Sequence, residues 1–124
     1  MIGSRDDSMT DTASPDPLAL WREALMRSVR SEAPDLSTRQ MAILLAVYTT
    51  PPPHTVRGLA AALGVAKPVI SRALDTLGAH GLLKRKRDAR DRRNVLVQRT
   101  VRGAVFLSEF RDLVSAARRS AEAA

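Results

Sequence analysis

Between Leu82 and Thr100 the chain reads LLKRKRDARDRRNVLVQRT. Two short apolar runs, Leu82-Leu83 and Val95-Leu96-Val97, bracket a ten-residue block from Lys84 to Arg93. That block holds seven basic residues (Lys84, Arg85, Lys86, Arg87, Arg90, Arg92, Arg93) and two acids, Asp88 and Asp91. Val95 and Val97 alternate against Leu96, the period of a strand with one covered face. The segment therefore predicts a β-hairpin with strands Leu82–Arg87 and Asn94–Arg99 and a guanidinium-rich tip. The block's net charge of +5 is most of the chain's formal +7. A hairpin of this shape and charge fits a nucleic-acid groove.

The rest of the composition narrows the classes. A chain of 124 residues holds one compact domain and is short for two. It has no cysteine, which excludes disulfide staples, thiolate zinc sites and cysteine redox sensing. No apolar run approaches the roughly 18–20 residues that span a bilayer. The opening residues, MIGSRDDSMTDTASPDP, carry no hydrophobic signal core, so the expectation is a cytoplasmic, nucleoid-associated protein without a membrane partner. Charge is unevenly placed. Lys67 to Arg102 holds eleven basic and three acidic residues, a net of +8, and the remainder sums to −1. A basic lobe beside a near-neutral remainder suggests a polyanionic partner, although charge runs are often only solvated faces.

Along the chain, residues 1–15 are polar and read as a disordered tail. Asp16-Pro17 is a helix start, with Asp as cap and Pro in the first turn. Leu18, Trp21, Leu25 and Val29 then share one helical stripe, ending before Pro34. Ser37-Thr38-Arg39-Gln40 is a capping box opening a helix that is apolar nearly all round from Met41 to Tyr48, and so the central one. Pro51-Pro52-Pro53 ends it. Thr55 caps a third helix, Val56 to Leu63, which Gly64 terminates. Pro68 opens a fourth, to about Leu77, with Val69, Ile70, Ala73, Leu74 and Leu77 supplying its buried face. Two helices joined by so short a Gly-containing turn form a helix-turn-helix. Gly78 and Gly81 release the chain into the hairpin. Thr100 caps a last helix whose stripe takes in Val101, Val105, Leu113 and either Phe106 or Phe110. The fold class is mainly α with a small β-hairpin (α+β): a winged helix-turn-helix over 16–124, flanked by helices at 16–33 and 100–120.

At this point the sequence resembles the MarR family of bacterial transcription regulators. LAAALGVAKPVISRALDTLGAHGLL is similar to the family's helix-turn-helix and the turn into its wing. DARDRR, Asp88 to Arg93, resembles its Asp-x-Arg-Asp-x-Arg wing signature, and Thr100-Val101-Arg102-Gly103 its Thr-x-x-Gly. The likeness covers roughly Leu36 to Phe110. It implies a homodimer on a palindromic operator of double-stranded DNA, usually acting as a repressor. It also implies Arg90 and Arg92 as wing residues for the minor groove. Two residues depart from the pattern: Ala66 stands where a capping Ser is common, and Arg99 where a Leu is common. Family members carry longer terminal helices that build the dimer and a ligand pocket. This chain ends at Ala124, so a small-molecule effector stays an open question. Dimerisation is expected through Leu18, Trp21, Leu25, Val29, Phe106 and Phe110.

A recognition helix reads base edges with its N-terminal residues, here Lys67, Pro68, Val69, Ser71 and Arg72. Arg or Lys can pair with guanine, and Val69 could meet a thymine methyl or simply fill the core. In the wing, Arg85, Arg87, Arg90, Arg92 and Arg93 are the candidate contacts. An arginine at the tip suits the negative potential of a narrow minor groove. Asp88 and Asp91 are expected to pair with Arg93 or Arg90 and hold the hairpin in one shape. Arg39 and Arg57, cations at helix starts, oppose the helix dipole and so suggest a nearby phosphate. His54 and His80 read as turn residues. No nucleophile with a base, phosphate-binding glycine loop, metal site or cofactor motif is apparent, so no catalytic residue is assigned. The alternative to a sequence-reading regulator is a winged-helix interaction or nucleoid accessory module that coats DNA without sequence preference.

Overall fold

The computed structural model describes residues 16–123, and the tail read over 1–15 lies outside them. The described residues divide into two compact units, Pro34–Leu107 and a helical one made of 16–33 with 108–123.

The first unit follows the capping signals closely. Helix α2, Thr38–Thr49, opens on the capping box: the Gln40 amide donates to Ser37 Oγ at 3.1 Å, and Ser37 N–H donates to Gln40 Oε1 at 2.9 Å. (Helix α1, Pro17–Arg30, precedes it in the chain.) Ile43, Leu44 and Val47 are fully buried, so α2 is the central helix, as its apolar run predicts. Helix α3, Val56–Leu63, begins with Thr55 Oγ1 accepting from the Gly58 amide and stops at Gly64. That residue's φ of +69° is costly for any side chain but absent from glycine's list of constraints. Helix α4 runs Lys67–Ala79 and buries Ile70, Ala73, Leu74 and Leu77 on one face. Strands β1, Leu83–Arg87, and β2, Val95–Arg99, pair antiparallel with Leu83 opposite Arg99 and Arg87 opposite Val95. This is the winged helix-turn-helix that the sequence predicts.

One element is absent from the sequence reading. Thr55 bridges Leu96, and the Val97 amide donates to the His54 carbonyl at 2.8 Å, so a short third segment flanks β2. His54 and Thr55, read as turn and cap, do both jobs at once.

Helix α5, Val101–Ala123, starts from a tightly bonded corner. The Gly103 amide donates to Thr100 Oγ1, which itself donates to the Gly81 carbonyl at 2.7 Å. Tyr48 Oη donates to the Leu82 carbonyl at 2.7 Å and accepts from the Thr100 amide at 2.8 Å. A Cβ on Gly103 would run into that hydroxyl and the Leu82 carbonyl oxygen. The Thr-x-x-Gly pattern thus has a steric cause: the threonine caps, and the glycine lets helix, tyrosine and wing root meet. On α5 the stripe divides. Phe106 and Leu107 are buried, whereas Val101 and Val105 face outward.

In the second unit, helix α1, Pro17–Arg30, is capped by Asp16, whose carboxylate accepts from the Leu18 amide. Ala117 and Ala121 of α5 are buried, and Ser120 Oγ donates to Glu23 Oε1 at 3.4 Å. No residue of α1 is buried.

Candidate nucleic-acid interface

With Ile70, Ala73, Leu74 and Leu77 turned into the core, helical geometry carries Lys67, Pro68 and Arg72 to the outside, and all three are exposed. Val69 and Ser71 are half-buried at the edge of that face. Val69 therefore shares in packing, and only part of it is presented. The start of α4 is unusual. Ala66 makes no side-chain capping bond, and no acidic residue occupies the first turn. Pro68 has no N–H to satisfy, and the Val69 N–H donates to the Ala66 carbonyl at 3.0 Å, so the start is closed by the backbone without a side-chain cap.

The wing is held by polar contacts among its own residues. Asp91 Oδ1 accepts from both the backbone N–H and Nε of Arg93, at 3.1 and 3.2 Å. Asp88 accepts from the Arg90 backbone N–H at 2.9 Å rather than from its guanidinium. Arg87 donates to the Arg92 carbonyl at 2.9 Å, and the Asn94 amide to the Asp91 carbonyl. The Arg93 guanidinium, then its backbone N–H, hold the Asp91 carboxyl below its ordinary value, and Arg57 at the start of α3 adds to the effect. Arg90 and Arg92 make no side-chain ion pair among the described residues, and both are exposed. Arg39 is likewise exposed, on the first turn of α2.

Arg85 stands apart from the other wing arginines. Its guanidinium is paired with Asp75 of α4, so it ties the first wing strand to the recognition helix. Lys84 and Lys86, alternating with it along β1, are exposed. Arg99, at the other strand's end, donates through Nε to the Val47 carbonyl at 2.9 Å and through Nη2 to the Thr50 carbonyl at 3.0 Å. Neither contact follows from the sequence, because each partner lies on a different element and no local pattern encodes it.

Among the described residues there is no cluster of three His, Cys, Asp or Glu side chains suited to a metal ion. No described helix is long and apolar enough to cross a membrane.

Comparison with known proteins places this geometry. Residues 35–94 match the sequence profile of the MarR family. No curated protein sequence matches the chain. Among solved structures, the transcriptional regulator BldR from Sulfolobus solfataricus is similar at 28% identity and a TM-score of 0.60, over 80% of this chain and 70% of that one. The repressor CouR, bound to a 23-mer DNA duplex, is similar at 25% identity and a TM-score of 0.68, over 83% and 70%. The S. aureus MepR–DNA complex shares the fold at 22% identity and a TM-score of 0.67, over 78% and 77%. The match covers residues 35–94, the helix-turn-helix and the wing up to its tip, and over that stretch the chain is similar to the MarR family.

Proposed function

We propose that the chain is a transcriptional repressor that binds a palindromic site in double-stranded DNA as a homodimer. The N-terminal half of α4 enters the major groove with Lys67 and Arg72, flanked by Pro68, Val69 and Ser71. The wing lays Arg90 and Arg92 into the adjacent minor groove. Arg93 and Arg87 shape the tip, and Arg39 and Arg57 meet phosphates on either side. The observation that carries this reading is the pairing of an exposed, uncapped, basic helix start with a basic hairpin tied to the same helix through Asp75 and Arg85. Similarity to CouR, a repressor on a DNA duplex, supports it.

Dimerisation follows from α1. Leu18 is 75% exposed, Trp21 64%, Leu25 50% and Val29 78%, a continuous apolar stripe that a second copy would cover. Phe106 is buried, so the outward residues on α5 are Val101 and Val105, with Phe110 half-buried.

The test is selection of bound duplexes from a random library at near-physiological salt. Enrichment of a palindrome with half-sites about one helical turn apart is the expected result. Binding without enrichment would replace the reading with sequence-tolerant coating. Trp21→Glu should convert dimers to monomers in sedimentation and abolish preference for the palindrome. A dimer that survives the change would move the seam away from α1.

A further inference from the structure

The wing projects from a root at which three side chains converge on the C-terminal end of α2. Tyr48 Oη bonds the residue before β1 and the residue after β2, Leu82 and Thr100. The His54 carbonyl holds the Val97 amide, and His54 Nε2 lies 3.2 Å from the Thr50 carbonyl. Arg99, the last residue of β2, reaches across to the Val47 and Thr50 carbonyls, and its guanidinium sits 5.7 Å from the Tyr48 ring centroid. Carbonyls at a helix C-terminus lack intrahelical partners and carry the negative end of the dipole, so a forked cation is well matched there. Of the three side chains, only Arg99 belongs to the wing.

We propose that Arg99 is a positioning residue for DNA binding: it fixes the angle of the wing against the helix core and so decides where Arg90 and Arg92 arrive, without touching DNA itself. Although the residue is exposed, two of its nitrogens are bonded to α2 carbonyls, at the end of β2 farthest from the tip. Leverage makes the position consequential. At about 3.3 Å per residue, a rotation of about 10° at the root moves a tip roughly 15 Å away by about 2.6 Å, enough to lose a groove contact. Asp75–Arg85 restrains the other strand, so the two ties together set one orientation.

The proposal rests on the DNA-binding reading for one of its two readouts, and the other is independent of DNA. On the free protein, Arg99→Leu should speed amide exchange of Val97 and the β1–β2 ladder by about tenfold, with the core amides of α2 and α4 unchanged. Unchanged wing exchange would overturn the proposal. On a duplex enriched from the random library, Arg99→Leu should weaken binding by about tenfold in the wild-type background. In an Arg90→Ala/Arg92→Ala background the loss should be under about twofold. The slope of log affinity against log salt should stay the same. Equal losses in both backgrounds would mean a general effect on stability, and a slope reduced by about one would mean a direct phosphate contact. Either would overturn it. If Arg99→Leu melts the whole fold, Arg99→Lys is read the same way, since it keeps the charge and loses the fork that spans two carbonyls. Wing exchange as slow as wild type in Arg99→Lys would then count against positioning by the fork. If wild type enriches no palindrome, the function reading fails, while the exchange experiment still decides whether Arg99 holds the wing.

Discussion

The recognition helix and the wing both offer arginines and lysines to the outside, but they are held in place by different physics. Helix α4 is fixed by apolar burial, with Ile70 and Leu77 fully inaccessible and Leu74 nearly so. Its exposed cations can change without disturbing its position. The wing buries little beyond Leu83 and Val97, each 3% exposed. Its shape comes from hydrogen bonds in which the charged side chains themselves take part: Arg87 to Arg92, Arg93 to Asp91, Arg85 to Asp75 and Arg99 to α2. On α4 a cation has one duty, whereas in the wing several cations have a structural duty first. Counting positive charge therefore overstates how many wing residues are available to DNA.

The largest expected effect removes the difference altogether. Gly103→Ala would push its Cβ into Tyr48 Oη and the Leu82 carbonyl, displacing a hydroxyl that bonds both sides of the wing root. Overpacking together with lost buried bonds should cost about 3 kcal/mol. Denaturant unfolding should show it, and helix and wing should lose stability together. A shift under about 0.5 kcal/mol would mean that Tyr48 moves aside freely.

Arg90→Ala and Arg92→Ala separate the regions. Each should weaken binding to the enriched duplex by about 1–3 kcal/mol if it reaches base edges. The unfolding midpoint should not move, because neither side chain takes part in an ion pair among the described residues. Arg85→Ala should behave in the opposite way, loosening the wing by freeing Asp75 while leaving the tip contacts in place. Unchanged affinity in both Arg90→Ala and Arg92→Ala would take the tip out of the mechanism.

Ala66→Ser sharpens the contrast from the helix side. A serine at this N-cap can accept from the Val69 amide, three residues on, and α4 should gain about 1 kcal/mol. Exchange of the α4 amides should slow while that of the wing stays as it was. If DNA affinity falls at the same time, the backbone at the start of α4 is itself a phosphate contact.

These differences also explain what could be read from the chain. Helices α2, α3 and α4 announce themselves through local chemistry, with Ser37 and Gln40 at one start, Thr55 at another and Gly64 at a stop. The hairpin follows from the alternation at Val95 to Val97. The ties that orient the wing are not local. Arg99 meets Val47 and Thr50 some fifty residues away, and Arg85 meets Asp75 on another element. Nothing in the spacing of either residue marks its partner. The departure at Arg99 from the MarR pattern was visible, but its purpose required the end of α2 to be in place. Likewise the stripe on α1 signals a face to be covered without saying by what.

Asp91 carries the smallest effect and the most specific one. Its carboxyl is held below the ordinary value of 3.8 by Arg93, first through the guanidinium and then through the backbone N–H. A depressed acid lends its support above its unfolded value and withdraws it as pH falls through the folded one. The support is thus complete at neutral pH and fades only below 3.8. Because the pair is solvent-exposed, global unfolding should scarcely register the change. The Arg93 Nε–H resonance should register it, shifting with pH in that acidic range in wild type and standing still in Asp91→Asn. The asparagine keeps an oxygen for the Arg93 amide and gives up the charge. If Asp91→Asn leaves both the resonance and the tip's exchange rates as in wild type, the ion pair is incidental and the backbone bonds alone give the wing its shape. If exchange at Arg90 to Arg93 quickens while α4 is unaffected, then the acidic residues of a basic hairpin are there to hold its arginines in order.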